Sequence, residues 1–206
     1  MMSTNPKIHS PTHNAFARGI ALKKMYELGR KDFDSENFSG LKLSCCKLPA
    51  INLTSSDLRD ADLDLTDLSG ADLRGANLER SSLSFSNLSN ADLSNANLGG
   101  VNLGGADLSG AILRGAMLKN ANLRGANLSN AHLEFADMQE TDLTGANCFS
   151  CNLSYTNLKK ANLTEANLNN ANLRKSDLTD AVMEGTSLNN ANVEGVNLPD
   201  IPELSS

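Results

Sequence analysis

The residues best equipped for chemistry are few and widely scattered. Cys148-Phe149-Ser150-Cys151 is a C-x-x-C, the spacing of dithiol redox centres and of half a zinc site. Cys45-Cys46 supplies a second pair of thiols. Ser44 to Lys47 fits S-x-x-K, in which a lysine activates a serine nucleophile, but no companion motif accompanies it. Gly99, Gly100, Gly104 and Gly105 have the density of a phosphate-cradling loop, yet neither a Lys-Ser/Thr pair nor a helix start follows. The three histidines, His9, His13 and His132, form no cluster with one another. Whether any of these groups can act depends on where the chain places them.

Placement is dictated by an internal repeat. From Leu43 to Leu198 every fifth residue is apolar, 32 positions of which 28 are Leu, with Met138, Cys148, Met183 and Val193 as the exceptions. Two residues before each stands a small or compact residue, Ala in 18 of the 32 cases, and between the two sits Asn or Asp in 24. Ala121 to Asn130, ANLRGANLSN, shows the unit bare.

A period of five suits neither usual element. On a helix successive Leu would advance by about 140° and form no face, and on a continuous strand an odd period would flip each Leu across the sheet. The chain must therefore turn within every repeat. In a short extended piece the Ala and the Leu point inward and the Asn or Asp between them points out, leaving two residues for a corner. The second corner residue is Gly or Asn in 16 of 32 units, as at Gly70, Gly125, Asn130 and Asn170, which fits the positive φ of a type II turn.

These residues resemble the pentapeptide-repeat family, whose pattern is A(D/N)LXX, over 160 of the 206 residues. The resemblance implies an all-β solenoid, a right-handed quadrilateral β-helix with four repeats per coil. That gives eight coils over residues 41–200, the first 41–60 and the last 181–200. Two outward apolar pairs 20 apart, Leu65 with Phe85 and Phe135 with Tyr155, agree with a 20-residue coil, because each pair then shares a column.

The register disposes of the motifs. Cys148 takes a Leu slot and Cys151 an Ala slot, so both are expected in the core, and Cys45-Cys46 lies five coils away, about 24 Å along the rod, too far to complete a four-cysteine zinc site. The glycines occupy corners. Sequons such as Asn52-Leu53-Thr54 are by-products of the repeat. Neither a cofactor nor a metal is expected, and no nucleophile, base and metal set converges into an enzyme active site.

The ends differ. Residues 1–13 read as a disordered tail, and 14–40 as a capping helix and connector: Asn14 to Leu28 is a short helix with Asn14 as cap, Gly29 as stop, and Phe16, Ile20, Met25 and Leu28 inward. Leu28, Phe33 and Phe38 continue the register backward. MYELGRKDF is loosely similar to an amino-terminal segment of cyanobacterial family members. The carboxyl end runs into Pro199-Asp200-Ile201-Pro202 without a helix, so either the 201–206 tail folds Ile201 and Leu204 over the opening or two rods meet there as a homodimer.

Composition narrows the partners. A net charge of -6, with 24 acidic against 18 basic residues, argues against a nucleic-acid binder. No apolar stretch is long enough for a membrane helix, and MMSTNPKIHSPTH lacks the apolar run of a secretory signal, so a bacterial protein of this kind is expected in the cytoplasm, without membrane attachment and with reduced thiols.

Only the outward residues can encode function. The face of Leu48, Leu68 and Leu88 is a nearly neutral ladder of Ser and Asn, while nine of the twelve Lys and Arg in 41–200 lie on the two adjoining faces, among interspersed acids. The leading expectation is a non-catalytic protein-interaction or scaffold protein; the alternative is a DNA-mimic binder of a type II topoisomerase, as quinolone-resistance family members are. At three sites in the fourth and fifth coils the outward Asn or Asp is replaced by Ile112, Met117 and His132, and nearby corners carry Phe135, Phe149 and Tyr155. These six form the candidate protein-binding patch, with Arg114, Lys119, Lys159 and Arg174 at its margin.

Overall fold

The computed structural model describes residues 15–199. Each repeat has five backbone N–H groups that need acceptors, and the coil supplies one for every donor. In the unit around Leu68, the Leu68 N–H donates to Asn87 O of the next coil at 2.7 Å and the Gly70 N–H to Ser89 O at 2.9 Å. The Asp72 N–H donates to Ile51 O of the preceding coil at 2.9 Å, and the Ala71 N–H closes a turn onto Leu68 O at 3.0 Å. The fifth donor, Ser69 N–H, is taken by the Asp67 side chain, Oδ1 at 3.0 Å. The Asn or Asp before each Leu thus caps its own corner in the manner of an Asx turn, a reason for the pattern beyond pointing outward.

Parallel bridges join residues 20 apart, from Asp32 with Asn52 to Asp177 with Asn197, so four pentapeptides close one coil. The result is a right-handed quadrilateral β-helix of more than eight coils, about 40 Å long at strand spacing. Its four faces are named here by the leucines of one coil, Leu103, Leu108, Leu113 and Leu118. The second corner residue has positive φ throughout, 63° at Gly70 and 58° at Asn130, but also 62° at Phe135 and 60° at Tyr155. Inside, the Leu and Ala slots are buried along the rod, and where Ser or Thr takes an Ala slot its hydroxyl finds a carbonyl, as Ser56 does on Leu53 O at 2.6 Å and Thr66 on Leu43 O at 2.8 Å.

Pairing begins ten residues before residue 41, since Asp32 and Asn37 already bridge to Asn52 and Asp57. Phe33 and Phe38 fill the first core slots with rings edge to face at 6.1 Å, where their bulk seals the end of the Leu column.

α1 (Ala15–Glu27) lies over this first coil. It ends as expected at Gly29, whose φ of 97° lets its N–H reach Tyr26 O at 2.9 Å while Arg30 N–H reaches Met25 O at 3.0 Å, a Schellman closure. The inward face is not the expected one. Phe16, Ile20 and Leu28 are exposed, Met25 is partly buried, and Gly19, Leu22 and Tyr26 face the rod. The cause is the raw edge beneath. The first coil has carbonyls with no preceding coil to bond, and the lid segment supplies donors: Arg18 to Asn37 O, Arg30 Nε to Asp32 O at 2.7 Å, and Tyr26 Oη to Pro49 O at 2.6 Å. Gly19 passes so close to the coil that a Cβ there would sit 2.2 Å from Lys42 O.

The far end is bare. Met183 and Leu188 are partly buried while Val193 and Leu198 are exposed, and the N–H groups of Met183, Leu188 and Val193 have no partner among the described residues. The Asn14 cap, the 1–13 tail, and Ile201 and Leu204 of the 201–206 tail lie outside the described residues.

Candidate protein interface

The structure scatters the apparent catalytic motifs. Cys148 and Cys151 are buried as neighbours in the core, and a hydrogen bond between their thiols, together with burial, pushes the Cys151 thiol well above its ordinary value, the opposite of a redox nucleophile. Cys45 is exposed on a corner. Among the described residues no group of His, Cys, Asp and Glu could hold a metal ion.

The six outward residues fall as follows. Ile112 and His132 are bridged neighbours on the Leu113 face, and Met117 lies around the edge on the Leu118 face, bridged to Asn97 and Asp137. Phe135 and Tyr155 occupy the edge between those two faces. Phe149 stands apart from this group on the Leu108 face, beside that face's edge with the Leu113 face. Phe135 and Tyr155 stack with centroids 5.1 Å apart and planes at 13°, while keeping 53% and 41% of their surface exposed. Arg114 lies 5.4 Å from the Phe135 centroid and Lys175 5.6 Å from that of Tyr155, so the two rings are sandwiched between cations along the rod axis. Arg174 Nη1 reaches Tyr155 Oη at 3.4 Å.

The corner-capping rule gives Ile112, Met117 and His132 a significance that periodicity alone could not. Each replaces the acceptor of the following corner, and the N–H groups of Arg114, Lys119 and Glu134 consequently have no partner among the described residues. Each lost bond forgoes about 1 kcal/mol. Beside His132, Glu134 Oε1 accepts from Asn152 Nδ2 at 2.7 Å and lies 3.6 Å from His132 Nδ1, whereas its Oε2 is buried with no partner. Leaving a buried acceptor unpaired adds a further cost.

Charge differs between the lower and middle coils of the same two faces. Arg59 pairs with Asp57 at 2.6 Å and Arg74 with Asp72 at 2.5 Å, and these guanidinium hydrogen bonds hold both carboxyls below the usual range. Arg80 pairs with Asp60 at 3.0 Å. Arg114 and Lys119, by contrast, make no ion pair among the described residues, so the aromatic edge is flanked by uncompensated positive charge.

Comparison with known proteins sets the architecture in its family. A family model for pentapeptide repeats matches in eight copies, over residues 37–75, 46–84, 86–125, 106–145, 126–164, 141–180 and 166–200. A search of curated proteins finds no match. Among solved structures, HetL, a pentapeptide repeat protein involved in heterocyst differentiation regulation in the cyanobacterium Nostoc sp. strain PCC 7120, is 29% identical over 87% of this chain and 96% of its own, with a TM-score of 0.36. The Nostoc pentapeptide repeat protein alr5209 is 32% identical over 66% of this chain and 84% of its own, with a TM-score of 0.31. QnrB1, a plasmid-mediated fluoroquinolone resistance protein, is 18% identical over 82% of this chain and 89% of its own in a trypsin-treated variant form, with a TM-score of 0.66 that establishes a common fold. With the A(D/N)LXX register matched from residue 37 to residue 200 and its corner hydrogen bonds in place, this chain belongs to the pentapeptide-repeat family.

Proposed function

We propose that the protein is a non-catalytic scaffold that binds a protein partner along the edge between the Leu113 and Leu118 faces. The observation that carries this reading is the loss of three corner caps in neighbouring coils, at Ile112, Met117 and His132, beside a solvent-facing aromatic stack. A coil needs none of these. Phe135 and Tyr155 occupy left-handed positions that cost a residue with a Cβ about 1 kcal/mol. Exposed apolar and aromatic side chains, free N–H donors and cations unpaired with acids are the anchors and rim of an interface. The reading includes Phe149 as an outlying contact and places the protein in the cytoplasm, which four cysteines free of disulfides support. Fluoroquinolone resistance belongs to QnrB1; at 18% identity it supports the rod as a binding platform and no particular target.

The test is a photo-crosslinkable residue at Met117, followed by reconstitution with the purified cross-linked protein. One discrete partner is expected, and its binding should be lost when Phe135 and Tyr155 are both changed to Ser while the melting temperature moves little. Retained binding by that double variant refutes the assignment.

A further inference from the structure

The junction between α1 and the first coil encloses a cleft of about 620 Å³ lined by Lys23, Tyr26, Glu27, Lys31, Cys45 and Lys47. That volume lies within the range of small-molecule sites. Three ammonium groups and one carboxylate give the lining a net positive charge on a chain whose overall charge is -6. None of the three lysines forms an ion pair among the described residues, whereas Lys42 and Arg30 in the same coil region do, with Asp62 at 3.4 Å and Glu36 at 3.1 Å. Lys31 Nζ is held 3.2 Å above the Tyr26 ring, and that ring is fixed in turn by its hydroxyl bond to Pro49 O. The Lys47 N–H adds a neutral donor. Its counterpart one coil along, Asp67 N–H, donates to Cys46 O, but Lys47 sits at the raw edge and its N–H has no partner among the described residues.

We propose that this cleft is a binding site for a small phosphate-bearing polyanion. Three point-charge cations on flexible stems, converging with a backbone N–H, match several phosphate oxygens better than they match a single carboxylate. The enclosure is built by the lid rather than by the coils, so the bound anion would bridge α1, through Lys23, to the rod, through Lys31 and Lys47. Occupancy therefore strengthens docking of the lid by linkage.

Cys45 lines the cleft and reports on it. Cys148 and Cys151 are buried, and burial pushes the Cys46 thiol up, so Cys45 is the thiol expected to react in the native protein. In the full-length protein, inorganic pyrophosphate should slow modification of Cys45 by N-ethylmaleimide at least about fivefold relative to sodium chloride of equal ionic strength. Calorimetry on a Cys45→Ser variant should give a saturable pyrophosphate isotherm, weakened about tenfold or more in Cys45→Ser with Lys23→Gln and Lys47→Gln. Equal protection by chloride, or an isotherm unchanged by the two lysine substitutions, overturns the site. Citrate binding as tightly as pyrophosphate overturns its assignment to phosphate. Because Lys23 and Lys47 project from the surface, an unaltered circular dichroism melt of the variant keeps a loss of binding distinct from a loss of fold.

Discussion

Replacing Gly19 by Ala sets two effects of opposite sign against each other. Gly in a helix interior is about 1 kcal/mol worse than Ala, so propensity alone predicts a stabilised α1. The structure predicts the reverse, because the new Cβ would lie 2.2 Å from Lys42 O and 3.3 Å from its carbonyl carbon, both backbone atoms that cannot swing aside. Relief requires the helix to rise from the coil by more than an ångström. That movement stretches the Tyr26 bond to Pro49 O and the Arg18 bond to Asn37 O, at about 1 kcal/mol each, and opens the contact that buries Leu22, which is worth about 1.5 to 3 kcal/mol when complete. The losses exceed the propensity gain by about 1 to 3 kcal/mol. Hydrogen exchange is the appropriate assay, since the effect should be confined to α1 and the first coil: faster exchange at Phe33, Phe38 and Leu43, with the coils around Leu123 unchanged. Lys24→Ala, on the exposed side of the same helix, is the control and should be neutral. A Gly19→Ala protein with slower exchange at those amides would refute the close-approach argument.

Four further outcomes follow from the same geometry. Leu123→Lys, which puts an unpaired charge in the fifth coil's core, should destabilise by several kcal/mol and unfold the middle of the rod in a circular dichroism melt, while Asn130→Ser on a corner should shift the midpoint by at most about 2 °C. His132→Asn restores a corner acceptor for Glu134 N–H and should raise the melting temperature by about 2 to 4 °C, with a fall in partner binding. Asp57 and Asp72 have folded pKa values below the ordinary 3.8, so their stabilisation is fully present above that value and is lost as pH falls through the lowered values; both pairs are largely exposed, so the acid-side loss should be small and should shrink in 0.5 M salt (~3 to 4 Å screening length). Truncation after Leu198 should change either the melting temperature, if residues 200–206 cover the last coil, or the mass seen by light scattering, if two rods meet there; an unchanged monomer of unchanged stability would count against both.

The core was legible because a five-residue period leaves one solution: Leu123 and Cys148 are buried for the same reason, and Phe135 stacks on Tyr155 because 20 residues return the chain to its column. The lid was not. Reading α1 by hydrophobicity puts Phe16, Ile20 and Leu28 inward, but the helix docks on the edge of a coil, where close approach favours Gly19 and unpaired carbonyls favour the hydroxyl of Tyr26 and the guanidinium of Arg18. The candidate interface was half legible. Ile112, Met117 and His132 stand out as departures from Asn or Asp, yet their energetic meaning depends on knowing that Asp67 or Asn147 caps a corner N–H, as Ser69 and Phe149 show. The cleft beside Lys47 carried no signal, since Lys23 and Lys47 meet only because α1 folds back over the coil.

The 20-residue closure also makes the rod a counting device. Every pentapeptide inserted between the lid and the aromatic edge would rotate all downstream faces by a quarter turn relative to the cleft, whereas four inserted together would move them about 4.8 Å along the axis with no rotation. The azimuth between the lysine cleft at Cys45 and the Phe135–Tyr155 edge is therefore set by the number of repeats between them modulo four. A chimaera with five residues added after Ser94 would keep every core contact and yet turn the aromatic edge toward a different quadrant, so that a partner touching both ends of the rod could no longer do so, while one touching the edge alone would bind as before.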